Sequence, residues 1–176
     1  MIYFTADPHF GHANIMRHCN RPFTAVEEMD KVLINNWNET VKKNDEIYIL
    51  GDFTMRTAEA AHWYLTQLNG RKYYIRGNHD RFLKKYAEYE SDFEWVKDYH
   101  VLKTNEHRFV LFHFPILEWD QIHRGAIHLY GHVHNNKVSK EKLAALDGKL
   151  AFNVGVDVNG FRPVSINEIL KRAKET

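Results

Sequence analysis

The sequence predicts an α/β protein whose β-structure becomes mixed in its second half. Short runs rich in β-branched and aromatic residues alternate with segments of helical spacing, as is typical of α/β folds. After the third helical segment the runs follow one another directly, which favours more antiparallel pairing there. The 176 residues contain no repeat, low-complexity tract or Pro/Gly/Ser linker, so we expect one domain over residues 1–176.

Six runs are predicted as strands because their length and composition favour strands over helices. They cover residues 2–6, 46–50, 72–75, 109–112, 127–130 and 151–158. The first three are separated by helical segments and are expected to be parallel.

The first long helix is predicted from apolar residues that recur at intervals of three and four: Val26, Met29, Leu33, Trp37 and Val41. Thr24 and Glu27 are expected to form a capping box at its start. Residues 10–24, before this helix, are the least regular stretch and are expected to form a loop over one end of the sheet.

Three further helices complete the pattern. One is predicted over residues 58–68, and another begins near Asp80 and runs through residues 84–86. Ser165 and Glu168 predict a capping box that opens a final helix ending near residue 174.

Composition excludes several classes of protein. Lys and Arg number 24 against 23 Asp and Glu, so no global basic field indicates nucleic-acid binding, although local basic patches remain compatible. The single cysteine, Cys19, cannot form an intramolecular disulfide, which fits a reducing compartment. The N-terminus has no charged leader and no apolar run of helical length. We therefore expect a cytoplasmic protein without a membrane partner.

Polar residues follow five predicted strands, at the point where each strand ends. The five clusters are Asp7-Pro8-His9, Gly51-Asp52, Gly77-Asn78-His79-Asp80, His113 and Gly131-His132-Val133-His134. Each cluster alone has an ordinary explanation as a turn, a helix cap or a surface pair. Sites form beyond the carboxyl ends of strands in α/β sheets, so all five clusters can converge.

The clusters supply the ligands of a metal site. Two carboxylates, one amide oxygen and four imidazoles are available from Asp7, Asp52, Asn78, His9, His113, His132 and His134. This set without thiolate suits Mn, Fe, Zn, Ni or Co better than a cysteine-rich structural zinc site. It is too large for one ion and fits two, with a carboxylate such as Asp52 bridging ions roughly 3.5–4 Å apart.

In this order, the five clusters resemble the signature blocks of the calcineurin-like metallophosphoesterases, over residues 7–134. The residues around them, at 10–12, 21–23 and 153–157, resemble a small bacterial and phage-encoded branch. Position 8 is proline, where the family usually has a small or variable residue. Since proline has no backbone N–H, we expect that no hydrogen bond is needed from this position. The resemblance implies a four-layer fold in which two mixed β-sheets pack together and are flanked by helices.

The resemblance also implies a division of the ligands. Asp7, His9 and His134 would hold the first metal ion. Asn78, His113 and His132 would hold the second, and Asp52 would bridge the two. Manganese is the expected metal, with iron, zinc and nickel compatible.

The expected chemistry is hydrolysis of a phosphodiester by a hydroxide that bridges the metal ions and attacks in line. His79 matches the family histidine that faces the substrate, and it is expected to protonate the leaving oxygen. Asp80 either orients His79 or raises its pKa, or caps the following helix. The substrate is expected to be a phosphate ester, compatible with a nucleotide or nucleic acid.

Three cationic residues after the first cluster, His12, Arg17 and Arg21, are candidate substrate contacts, and a solvated loop explains each of them equally well. A phosphomonoesterase is the nearest alternative, since the same site serves both reactions. A non-catalytic scaffold, like the retromer subunit that resembles these enzymes, is disfavoured because His79 and all seven ligands are present. No obligate protein partner is indicated, and either a monomer or a homodimer fits the sequence.

Overall fold

A computed structural model describes residues 1–85, 92–135 and 143–176 of the chain. The elements in chain order are β1 (Ile2–Thr5), α1 (Ala13–His18), α2 (Val26–Thr40), β2 (Glu46–Leu50), α3 (Ala58–Gln67), β3 (Arg71–Ile75), β4 (Trp95–Lys97), β5 (Tyr99–Lys103), β6 (Arg108–Phe112), β7 (Ile127–Tyr130), β8 (Ala151–Asn153), β9 (Val164–Ser165) and α4 (Ile166–Glu175). Short 3₁₀ turns lie at Arg81–Lys85, Ile122–Arg124, Ala144–Leu146 and Val156–Val158.

The strands form two mixed sheets. In the first sheet the order is β4-β3-β2-β1-β9, and all pairs are parallel except the pairing of β1 with β9. In the second sheet the order is β5-β6-β7-β8, and only β5 with β6 is antiparallel. The carboxyl ends of β1, β2 and β3 therefore share one edge of the first sheet, and those of β6 and β7 share one edge of the second.

One hydrophobic core lies between the two sheets. Phe4, Leu50 and Ile75 of the first sheet pack in one buried cluster with Leu111 and Leu129 of the second. A second cluster packs the other face of the first sheet against the helices, with Met29, Leu33 and Trp37 of α2 at its centre. Burial of this apolar surface on both faces stabilises the first sheet.

The outer face of the second sheet is covered, in the described residues, by irregular segments. Val110 and Tyr130 of that sheet pack there with Trp119, Ala126 and Leu146. The expected architecture of two mixed sheets flanked by helices is confirmed. Within the described ranges, none of the helices has the length and apolarity required to cross a membrane.

Several predicted elements match the structure closely. The strands at 46–50 and 127–130 have the predicted bounds, and the helix predicted over 58–68 ends one residue earlier. The capping box of Ser165 and Glu168 is present with both of its hydrogen bonds. These elements are coded locally, by composition and by residues three apart.

Other predictions about the elements were wrong. The run 151–158 is not one strand, because β8 ends at Asn153 and the chain enters a 3₁₀ turn. Thr24 does not pair with Glu27: its N–H and hydroxyl both donate to Glu28. The helix expected from Asp80 is a 3₁₀ turn at Arg81–Lys85, and its predicted continuation to Tyr86 lies outside the described residues.

Two wider expectations also need correction. Residues 10–24 are not all loop, because they contain α1. The second half of the chain is less antiparallel than expected, since two of the three pairings in the second sheet are parallel. Three short strands, β4, β5 and β9, were not predicted.

Candidate metal centre

The two sheets meet where the predicted clusters lie. Backbone hydrogen bonds run from Ala6 N–H to Val154 O (3.1 Å) and from Val154 N–H to Tyr130 O (2.8 Å). Next to this junction, Asp7 Oδ2 accepts the backbone N–H of His132 at 2.8 Å. The strand ends of both sheets are therefore joined into one surface, and the clusters line it.

Seven predicted ligands gather there in two groups. In the first triad, Asp7, His9 and His134, the potential ligand atoms lie within 4.8 Å of one another. In the second triad, Asp52, His113 and His132, they satisfy the same distance. His9 Nε2 lies 3.8 Å from Asp52 Oδ2, so Asp52 also faces the first triad.

The seventh residue, Asn78, belongs beside the second triad. Its Oδ1 lies 3.0 Å from His113 Nε2, and Asp52 Oδ2 lies 3.5 Å from the same nitrogen. His113 Nδ1 donates to Leu50 O at 2.7 Å, so the tautomer that makes this bond leaves Nε2 with its lone pair toward Asn78 and Asp52. Three atoms that accept a cation thus converge on one point.

Unsatisfied polar atoms show that the residues fit a bound cation. Asp7 Oδ1 and both ring nitrogens of His9 are buried and have no hydrogen-bond partner among the described residues. Buried polar groups normally have partners, since an unpaired one costs about 1–3 kcal/mol. A divalent ion would supply the missing partner, and the mixture of imidazole and carboxylate suits a first-row transition metal.

A buried charged network orients His134. Its Nδ1 donates to Asp157 Oδ2 at 2.7 Å, which leaves Nε2 as the potential ligand atom. Arg21 donates to both oxygens of Asp157 at 2.7 and 2.9 Å, and the side chains of Arg21 and Asp157 are 0% exposed. This network holds the His134 ring through its Nδ1 atom and leaves Nε2 toward the first triad.

Arg21 has a different role from the predicted substrate contact. Besides Asp157, its guanidinium donates to the backbone oxygens of Asp7 and Pro8, both at 2.8 Å, and to the sulfur of Met29. These contacts use all five N–H donors of an arginine. Arg21 therefore holds the Asp7–His9 segment in place.

Asp80 also differs from both of its predicted roles. Its carboxylate neither caps a helix nor contacts the ring of His79. It accepts the backbone N–H groups of Asp52 (3.0 Å), Phe53 (3.0 Å) and Gly77 (2.6 Å). Because these amides belong to the loops after β2 and β3, Asp80 ties the two loops together.

The backbone at the centre is unusual. Five of the candidate ligands are non-glycine residues with positive φ, between 48° and 69°: Asp7, His9, Asp52, His132 and His134. This left-handed region costs an ordinary residue free energy, although Asp and His tolerate it better than most. Such strain is typical of functional sites that the surrounding structure holds in place.

Close backbone approach also shapes the centre. A Cβ at Gly51 would lie 2.6 Å from the Cα of Gly77, and a Cβ at Gly77 would clash with the Asp52 carboxylate. Glycine is required at both positions because the loops after β2 and β3 touch.

Above the triads lies an open cleft of about 460 Å³ with a histidine-rich lining: His9, His12, His18, His79, His132 and His134, together with Ile15, Cys19, Met55 and Val133. His79 is half-buried, and its backbone N–H donates to Asp52 Oδ1 at 2.8 Å, so its ring is presented beside the candidate ligands. His12 is also half-buried, with its ring centroid 5.5 Å from that of His9. Arg17 is exposed and lines a neighbouring depression with Asn14 and His18.

Burial, together with neighbouring charges and hydrogen bonds, shifts the pKa values of the ligands strongly. Burial raises the pKa of Asp7 to about 7 and lowers that of His9 to about 3. Burial also opposes the charged forms of Asp52 and His134, but interactions with His113 lower the pKa of Asp52 to about 2 and the bond to Asp157 raises that of His134 to about 10. Strongly shifted pKa values in several neighbouring groups are typical of functional sites.

Sequence reasoning missed Asp157 as a member of the site. It lies within a 3₁₀ turn, far from His134 in the chain, and no spacing rule connects the two. The local signal is the run Asn153-Val154-Gly155-Val156-Asp157, which resembles a small bacterial and phage-encoded branch but does not by itself indicate a role for Asp157.

Comparisons with known proteins agree with this geometry. Residues 4–160 match the model of the calcineurin-like phosphoesterase superfamily domain. An uncharacterized protein of Methanocaldococcus jannaschii is 38% identical over 172 residues, covering 97% of this chain and 89% of the relative. The gene 66 protein of Mycobacterium phage D29 is 32% identical over 160 residues, covering 76% and 78%. A crystal structure of a protein of unknown function from Aquifex aeolicus is 28% identical, covers 98% of both chains and superposes with a TM-score of 0.78.

Proposed function

Because the chain belongs to the calcineurin-like phosphoesterase superfamily, and so is a hydrolase of phosphoric ester bonds, we propose that it hydrolyses phosphodiesters at a centre of two divalent metal ions. We further propose that the diester belongs to a nucleotide or nucleic acid. The observation that carries the proposal is the pair of triads, each with its ligand atoms within 4.8 Å, in which Asp52 of the second lies 3.8 Å from His9 of the first.

Asp7, His9 and His134 would hold one ion, and Asn78, His113 and His132 the other, with Asp52 between them. The unpartnered atoms of Asp7 and His9 support the first assignment. The convergence of Asn78 Oδ1 and Asp52 Oδ2 on His113 Nε2 supports the second. Two bound ions, for which we propose manganese, would supply Lewis acidity toward the phosphate and lower the pKa of a water molecule.

Residues of the chain would set the charge of the centre, protonate the leaving oxygen and position the ligands. The two carboxylates, Asp7 and Asp52, offset about half of the four positive charges of two divalent ions, so the centre stays attractive to an anionic ester. His79 lines the cleft and is not a member of either triad, which leaves its ring free to donate a proton to the leaving oxygen. Arg21 positions the Asp7–His9 segment of the first triad, and Asp157 positions His134.

Metal analysis and hydrolysis together test the proposal. Metal-free protein is reconstituted with Mn²⁺, the bound metal is counted, and the rates on a bis-aryl and a mono-aryl phosphate are compared. We expect two ions per chain and faster hydrolysis of the diester. One ion per chain would overturn the dinuclear centre, and faster hydrolysis of the monoester would identify a phosphomonoesterase.

A variant pair assigns the metal to the predicted ligands. His132→Ala should bind one ion fewer and lose diester hydrolysis. His123→Ala, which removes an exposed histidine in the Ile122–Arg124 turn, should behave like the parent protein. Equal metal content in both variants would contradict the assignment of His132.

A further inference from the structure

Two further surface depressions each share a lining residue with the central cleft. His18 is shared with a depression of about 360 Å³ that Asn14 and Arg17 complete. Met55 is shared with a depression of about 470 Å³ lined also by Arg56 and Arg81. We call this band, defined by Arg17, His18, Met55, Arg56 and Arg81, the arginine track. The cleft over the candidate metal centre adjoins both depressions.

The arginines of the track are available for a ligand. Arg17, Arg56 and Arg81 are exposed, and no hydrogen bond or ion pair between described residues uses their guanidinium groups. Three other surface arginines are paired, Arg71 with Glu46, Arg76 with Asp98 and Arg162 with Glu168, whereas Arg108 and Arg124 are exposed and, among the described residues, unpaired like those of the track. Three arginines and one acidic residue, Glu59, line the two depressions, so cations exceed acidic groups there although the whole chain is nearly neutral.

Exposed apolar side chains accompany these cations. Met55 is 47% exposed, and Trp63 of α3 is 58% exposed. Trp63 and Arg56 line one further depression, between α2 and α3, so the tryptophan adjoins the track, although Glu27 and Asp30 also line this depression. An exposed aromatic ring beside a positive groove is the combination with which proteins bind unpaired bases and their phosphates.

We propose that the arginine track binds a single-stranded nucleic acid, so that one internal phosphodiester lies at the metal centre and the neighbouring phosphates contact Arg17 on one side and Arg56 and Arg81 on the other. The proposal rests on the proposed phosphodiesterase function and specifies its substrate class. A single nucleotide would leave cations unused on one side of the centre. A duplex would keep its bases stacked and away from Trp63 and Met55.

Binding measurements without metal test the track apart from the chemistry. The affinity of a fluorescein-labelled single-stranded 12-mer of mixed sequence is measured by anisotropy, in EDTA, at several salt concentrations. The parent is compared with Arg56→Ala, Arg81→Ala and the double variant. Each substitution should weaken binding about tenfold and lower the slope of log affinity against log salt by about 0.7.

A control variant removes a cation elsewhere. Lys43 is exposed and precedes β2, at the end of the first sheet opposite the centre. Lys43→Ala should bind the 12-mer like the parent. An equal loss in Lys43→Ala and Arg56→Ala would overturn the track, since it would indicate general charge attraction.

Tryptophan fluorescence gives a second signal. Trp37 and Trp119 are buried and Trp95 is half-buried in β4, whereas Trp63 is 58% exposed, so stacking of a base should quench mainly Trp63. The quench should disappear in Trp63→Phe. A dinucleotide that binds as tightly as the 12-mer, or a duplex that binds as tightly as the single strand, would overturn the assignment.

Hydrolysis assays on two substrates distinguish a wrong substrate class from an inactive metal centre. With Mn²⁺, the parent is assayed on the bis-aryl phosphate and on the 12-mer. The loss of kcat/KM caused by Arg56→Ala should be larger on the 12-mer than on the aryl diester. Hydrolysis of the aryl diester without any hydrolysis of the 12-mer overturns the substrate class alone, and absence of both overturns the proposed function.

Discussion

The two triads of the candidate centre are held in place by different kinds of interaction. His134 of the first triad is oriented by the carboxylate of Asp157, which is itself paired with buried Arg21. His113 of the second triad is oriented by a backbone carbonyl, that of Leu50. The loops of the second triad are tied by backbone amides that donate to Asp80.

The difference follows from the fold. The second triad lies where β2 and β3 end side by side in the first sheet and the end of β6 in the second sheet approaches them, so the backbone of Leu50 is close enough to orient His113. The first triad lies where β1 meets the loop after β7 and the turn Val156–Val158, and charged side chains bridge that junction. We therefore expect a change at Asp157 to damage the first triad selectively.

The largest expected effect comes from a residue outside both triads. His79→Ala should lower diester turnover about 10²–10⁴-fold, the usual contribution of a positioned acid, while both metal ions remain bound. The measurement is the rate on a substrate with a poor leaving group, together with the metal count. If this variant turns over that substrate as fast as the parent, the proposed role of His79 fails.

Asp157→Asn tests the first triad. We expect the affinity for one of the two ions to fall about 10–100-fold, because a hydrogen-bond partner that orients a ligating histidine is lost, and the other ion to bind as before. Calorimetric titration of the folded apo-protein with Mn²⁺ measures both affinities. Asp147→Asn, at an exposed aspartate, is the control and should match the parent. Equal weakening of both ions would contradict the separation of the triads.

Asp80→Asn tests the second triad through its loops. The amide side chain brings an N–H₂ donor toward backbone N–H donors, so the free energy of unfolding should fall by about 1–3 kcal/mol. Urea denaturation of the metal-free protein measures the change, and the Asp147→Asn protein again serves as control. Unchanged stability would show that these amides do not depend on the charge of Asp80.

The smallest effect should arise far from both triads, at the start of α4. Glu168 completes the capping box and pairs with Arg162. Although burial opposes its charge, these bonds lower its pKa to about 2, below the ordinary value of 4.5. Its contribution is therefore present above about pH 4.5 and is lost as the pH falls toward 2. Glu168→Gln should cost about 1 kcal/mol at pH 7 and less at pH 3, measured by urea denaturation, without changing the metal count.

The contrast between the triads also explains what the sequence could predict. The strands that carry Asp52 and His132 have local signatures, and so does the box of Ser165 and Glu168. The pairing of Arg21 with Asp157 spans 136 residues and follows from tertiary structure alone. The run 151–158 ends as a strand at Asn153, whose side chain accepts the N–H of Gly155 and turns the chain.

The left-handed backbone of five candidate ligands has an evolutionary consequence. At about 1 kcal/mol for each residue, the strain is comparable with the net stability of an ordinary domain, about 5–15 kcal/mol. Glycine at such positions would relieve the strain and remove the ligand in one step. Mutational drift in a lineage freed from selection for catalysis would therefore run toward a more stable, inactive chain, so persistence of all five side chains requires continued selection for what they do.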